Sequence, residues 1–164
     1  MKNTHPTATL PAVSGGGVAL AAAILTRLTA GSPLTVIHKL EATLPIPPIW
    51  LMSLLWLASF VLFGAAAGLL LAFPHGNPQR EASLWRGNTF MVLAMVFSLG
   101  WYTLLFGKFC LLPSCLCLLL SAAAALACAL AWMQLKRNAS VAALVFSLWQ
   151  IFLFLLQCAV LFHA

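Results

Sequence analysis

Residues 47–68 read PPIWLMSLLWLASFVLFGAAAG. At about 100° per residue, Trp50, Trp56, Phe60, Gly64 and Gly68 fall within a sector of roughly 120° on one helix. The rest of the circumference is Leu, Ala, Met, Val and Phe, which suits lipid or neighbouring helices. The stretch therefore predicts a membrane helix with an aromatic-and-glycine groove on one side. Pro47 and Pro48 open it where missing backbone donors would be orphans anyway.

Composition generalises this reading to the whole chain. Of 164 residues, 63% are hydrophobic and 6% charged, against about 25% charged in an ordinary soluble domain. Mean hydropathy is +1.06. The charges gather at or between apolar runs, so the net charge of +6 reads as loops meeting anionic headgroups. A nucleic-acid partner is excluded, because the basic residues form no stripe and no cluster beyond Lys136 and Arg137.

Working outward, the apolar runs predict an all-α polytopic membrane protein, a five-transmembrane-helix bundle. Its spans lie at about 12–30, 48–73, 88–106, 111–135 and 139–162. Residues 1–11 read as a polar tail and 12–164 as one membrane domain. The first run is rich in Gly and Ala, and a retained helix is favoured over a cleaved leader because Arg27 interrupts its end. Residues 31–46 form the longest polar connection, with a short helical look at 35–42, and read as a lid or surface cover. The PHGNP turn marks a second loop at 74–87. Ser114, Ser121 and Cys128 recur every seventh residue of the fourth span and predict a helix-contact stripe.

Basic residues give an orientation. Lys2, Arg80, Arg86, Lys136 and Arg137 fall on the amino-terminal side, against Arg27, Lys39 and Lys108 on the other, which puts the amino terminus inside.

The sequence offers no catalytic constellation. Its only acids, Glu41 and Glu81, lie in loops, and no span carries Asp, Glu or His except His163 at the last interface. Ion-coupled transport normally needs such groups inside the membrane, so neither enzyme chemistry nor a proton relay is expected. The five cysteines sit in or beside apolar runs, and the Cys115/Cys117 pair lacks further ligands at metal spacing. No metal site and no required cofactor are expected.

What remains is aromatic: six Trp and eleven Phe. Trp50 and Trp85 lie near span ends, as interfacial belt residues do, whereas Trp56, Trp101 and Trp149 lie deeper. Ala94, Phe97, Ser98, Trp101 and Leu105 share a face of the third span, and Ala142, Phe146, Trp149, Leu153 and Gln157 one of the fifth. Two readings stay open. The faces pack on one another as bundle cores do, or they wall a pocket for a flat apolar molecule that Ser98, Gln150 and Gln157 orient. Gly64 and Gly68 form a small-xxx-small pair for close packing, within the bundle or in a homodimer. The stretch 99–108 also fits the loose cholesterol pattern through Tyr102, a pattern of little specificity.

The spacing of these residues resembles that of the translocator protein / tryptophan-rich sensory protein family (TspO/MBR). That family's second span has Pro-Pro, Trp two residues on, Trp after six more, an aromatic after four and Gly after another four. Pro47, Pro48, Trp50, Trp56, Phe60 and Gly64 meet this without a gap. Trp101, Leu105, Phe106 and Gly107 resemble its Trp-x-x-x-Phe-Phe-Gly stretch. Ala139, Ala142, Val145, Phe146 and Trp149 occupy the positions of its fifth-span Ala-x-x-Leu-x-x-Pro-Tyr-x-x-Trp signature. The chain is a divergent member by this measure. Ser98 stands for an Asn, Leu54 for a Pro, Val145 and Phe146 for Pro-Tyr, Gln157 for an Asn, and Val36 and Ile37 fall where a Trp-Tyr is usual.

The resemblance implies a five-helix bundle in a bacterial cell membrane, often a homodimer. It would bind a porphyrin, another tetrapyrrole, a haem-like or a sterol-like small apolar ligand, in a sensory, regulatory or transport role. The ligand-binding positions so implied or suggested are Trp50, Trp56, Phe60, Ser98, Trp101, Phe106, Phe146, Trp149 and Gln157. A porphyrin-degrading activity proposed for some members finds no residue here to carry it.

Overall fold

The structure is a computed structural model and describes residues 9–30, 48–72 and 77–163. Among the described residues the α-helices are α1 (Thr9–Thr29), α2 (Ile49–Leu71), α3 (Pro78–Tyr102), α4 (Leu111–Met133) and α5 (Arg137–His163). A π-helical segment, Thr103–Gly107, prolongs α3. All five helices are long and apolar enough to cross a membrane. Residues 1–8 of the expected tail, the cover at 31–46, and residues 73–76 of the second loop lie outside the described residues.

The third helix differs most from the sequence expectation. It starts at Pro78 and not near residue 88, so most of the stretch read as a second loop is helix. The cause is a complete start signal: the Asn77 side chain accepts from the Gln79 backbone N–H at 3.0 Å, Pro78 opens the first turn, and Glu81 supplies an acid there. With the π segment the helix counts 30 residues, about 45 Å at 1.5 Å each, against a hydrocarbon core of about 30 Å. Its polar first turns therefore rise out of the apolar layer. α1 likewise begins at Thr9, ahead of the expected residue 12.

The helices pack in a chain of close neighbours. α1 lies on α2, α2 on α5, α5 on α4 and α4 on α3, while α3 and its π segment close the ring against α1 and α2 only sparsely. The α1–α2 contact is backbone-close. A Cβ on Gly15 would strike the Gly64 carbonyl, and one on Gly68 would strike the Pro11 carbonyl. The sequence left Gly64 and Gly68 open between bundle and homodimer; both are buried against α1 of the same chain.

The interior inverts the soluble pattern. Leu54, Leu62, Leu116, Leu130, Leu148 and Leu155 face outward, while Ser59, Ser98, Ser114, Ser121, Ser140, Ser147, Gln150 and Gln157 are buried. A lipid solvent imposes this, since polar groups gain nothing by facing hydrocarbon and can bond one another inside. Three serines bond across helices to backbone carbonyls: Ser121 to Ala94 at 2.7 Å, Ser140 to Ala129 at 2.8 Å, and Ser147 to Ala122 at 3.0 Å. Ser114, Ser121 and Cys128 are all fully buried, so the seven-residue stripe of α4 is a contact face.

Candidate functional site

α2 and α3 meet through side chains more than through backbones. Trp56 on α2 stacks on Tyr102 of α3, with centroids 5.0 Å apart and planes 22° apart. Trp56 also tilts against Phe60 at 4.8 Å. Phe60 meets Phe146 of α5 edge-on at 5.5 Å, and Phe146 in turn lies 4.6 Å from Phe63. On the far side of Tyr102, Phe106 sits at 4.6 Å and Trp101 at 6.1 Å. A continuous aromatic cluster thus runs from Phe106 to Phe63 through three helices.

Two polar nodes tie this cluster. At the first, Ser98 Oγ accepts the Trp56 indole N–H at 3.3 Å and the Gln150 amide Nε2 at 2.9 Å, joining α2, α3 and α5. At the second, Gln157 Oε1 accepts the Trp101 indole N–H at 2.7 Å. The Gln157 amide Nε2 donates to the Leu111 carbonyl at 3.1 Å and to Ser114 Oγ, joining α3, α4 and α5. Gln150 and Gln157 stand seven residues apart on α5 and so project from the same face.

Not every polar atom is satisfied. Gln150 Oε1 and Trp149 Nε1 are buried with no hydrogen-bond partner among the described residues. Such a group in a low-dielectric interior costs roughly 1–3 kcal/mol unless something bonds it. Gln150 Oε1 is an acceptor that lacks a donor and Trp149 Nε1 a donor that lacks an acceptor; Asn88 Oδ1 and Trp132 Nε1, outside the cluster's nodes, are unpartnered among the described residues as well.

The residues expected from sequence divide accordingly. Trp56, Phe60, Ser98, Trp101, Phe106, Phe146 and Gln157 come together in the cluster and its nodes. Trp149 is half-buried and stacks on Phe152 at 5.4 Å, away from the main cluster. Trp50 does not join it: the residue is 68% exposed on the first turn of α2, a belt position. Tyr102, Phe63 and Trp132 belong to the buried core but were missing from the expected site. Tyr102 lies four residues after Ser98, on the same helical face, and that spacing could have found it. Trp132 is covered by the Cβ-less Gly87, a partnership between distant positions that no local pattern carries. No group of three His, Cys, Asp or Glu side chains that could hold a metal ion occurs among the described residues.

These features define a class: a polytopic helical membrane protein whose interior is an aromatic cluster pinned by serine and glutamine. The model of the TspO/MBR family matches residues 11–163, and the chain belongs to that family. No curated protein and no solved structure matches the sequence.

Proposed function

We propose that this membrane protein binds a flat apolar ligand, a porphyrin or other tetrapyrrole or a sterol-like molecule, between α2, α3 and α5, and serves a sensory, regulatory or transport role. The observation that carries this reading is the Trp56–Tyr102 stack set between two helices whose backbones scarcely touch. Rings bridging such a gap can part around another flat ring at little backbone cost, because stacking on the ligand replaces stacking on each other. Buried Gln150 Oε1 supports the same reading, since a pyrrole N–H or a sterol hydroxyl would supply the donor it lacks. Family membership agrees with it. The basic residues at the α3 amino-terminal end favour that end, and with it the chain's amino terminus, on the inner side of a bacterial cell membrane.

Titration of the purified protein in detergent with protoporphyrin IX, read by tryptophan fluorescence, tests the proposal. Saturable quenching that weakens in Trp56→Leu, which removes one ring of the stack, is expected. Linear, unsaturable quenching would overturn the proposal.

A second reading has its own observation. The two polar nodes lock Trp56 and Trp101 to α3 and α5, as a structural or partner-binding helix bundle without a ligand pocket would require. On that reading the same titration gives no saturation, and the tryptophans contribute to stability alone.

A further inference from the structure

A groove of about 660 Å³ runs between the first turns of α3 and the last turns of α4, and it shares no lining residue with the aromatic cluster. Its rim is polar: Gln79, Ser83 and Arg86 from α3 and Gln134 from α4, with Ser83 Oγ donating to Gln134 Oε1 at 3.2 Å. Its deeper wall is apolar, formed by Phe90, Ala127, Leu130 and Ala131. On each helix these residues recur at intervals of three and four, so both line the groove with one continuous face. The groove exists because Ala82, Ala127 and Ala131 are small.

Its depth in the membrane follows from its neighbours. Exposed Trp85 stands beside Arg86, and tryptophan concentrates at headgroup level. Phe90 lies one turn nearer the bilayer centre than Arg86, and Leu130 lies one turn nearer than Gln134. The polar rim therefore meets the headgroups and the apolar wall meets the acyl chains. Arg86 is exposed and has no hydrogen bond or ion pair to another described residue. Arg80, Arg86 and Arg137 outnumber the single acid, Glu81, among the described residues at this end. Charge complementarity thus selects an anion at the rim, and the apolar wall selects one that carries a hydrocarbon chain.

We propose that this α3–α4 groove is a binding site for an anionic phospholipid, with the phosphate on Arg86 between the Gln79, Ser83 and Gln134 side chains and an acyl chain along Phe90 and Leu130. The phosphate receives charge-assisted bonds from the guanidinium. The alanines leave the channel in which the chain lies.

The test uses the full chain in detergent, with phosphatidylglycerol binding followed by native mass spectrometry and by lipid-dependent thermal stabilisation. Phosphatidylcholine and inorganic phosphate serve as the comparison probes. Arg86→Gln should weaken phosphatidylglycerol binding about fivefold to tenfold, the scale expected for one basic side chain at a headgroup. Arg80→Gln, on the same helix end but outside the groove lining, should weaken it clearly less than Arg86→Gln does, because its charge acts on the headgroup only through screening solvent. Ala127→Leu, which fills the apolar wall, should also weaken it while leaving the unliganded protein folded. Equal losses in Arg86→Gln and Arg80→Gln would mean diffuse surface charge and overturn the proposal. Equal binding of phosphatidylcholine, or stabilisation by inorganic phosphate matching that by the lipid, would overturn it too.

Discussion

The indole N–H of Trp101 donates to Gln157 Oε1 at 2.7 Å across 56 positions of sequence. The same glutamine reaches α4 through the Leu111 carbonyl and Ser114, so one side chain fastens three helices. Polar links between membrane helices are worth about 0.6 kcal/mol each on average and up to about 1.7. A double-mutant cycle of Trp101→Phe and Gln157→Leu, read by reversible unfolding in mixed detergent, should return a coupling energy in that range. Zero coupling would mean the two side chains do not bond.

Ser98 accepts two donors and is fully buried. Ser98→Ala strands the Trp56 N–H and the Gln150 amide at once, with a cost of roughly 1–3 kcal/mol. Its midpoint of thermal unfolding should fall, whereas Thr89→Ala, on an exposed position of the same helix, should leave it nearly unchanged. Equal midpoints for the two variants would remove the node from the account.

Gly68 has Pro11 backbone where a Cβ would go, while Gly17 has nothing within 4 Å. Gly68→Ala should destabilise the protein by about 1–3 kcal/mol through overpacking. Gly17→Ala should be neutral or stabilising by up to about 1 kcal/mol through helix propensity. Because the contact is within one chain, the loss in Gly68→Ala should appear with the oligomeric state unchanged by size-exclusion with light scattering. Dissociation of a dimer at constant midpoint would assign Gly68 to an interface between copies instead.

Much of this architecture is legible in the sequence, for a physical reason. A bilayer demands long apolar runs, so the number and rough extent of the spans follow from hydropathy. The inward face of α2 follows from the spacing of Trp56, Phe60, Gly64 and Gly68. Two kinds of feature escaped. The first was the extension of α3 to Pro78: its residues are polar, and a reading tuned to apolar length takes polar helix for loop although Asn77, Pro78 and Glu81 mark the start. The second was the long-range partnerships, among them Trp56 with Tyr102, Phe63 with Trp132 at 5.6 Å, and Gly87 with Trp132. These depend on which helices are neighbours, and hydropathy does not specify ring order. Trp50 shows the converse: its angular position matches the inward face, but at the first turn of α2 that face has already reached the membrane boundary.

The central claim is that the cluster around Trp56 opens to a flat ligand, and a comparative protoporphyrin IX titration addresses it most directly. Wild-type protein and Trp85→Leu, which alters only an exposed indole, should show saturable quenching with similar dissociation constants. Trp56→Leu should bind up to about tenfold more weakly, the loss expected from one stacking partner of about 0.5–1.5 kcal/mol. Saturation with the same constant in Trp56→Leu, or no saturation in the wild type, would contradict the account.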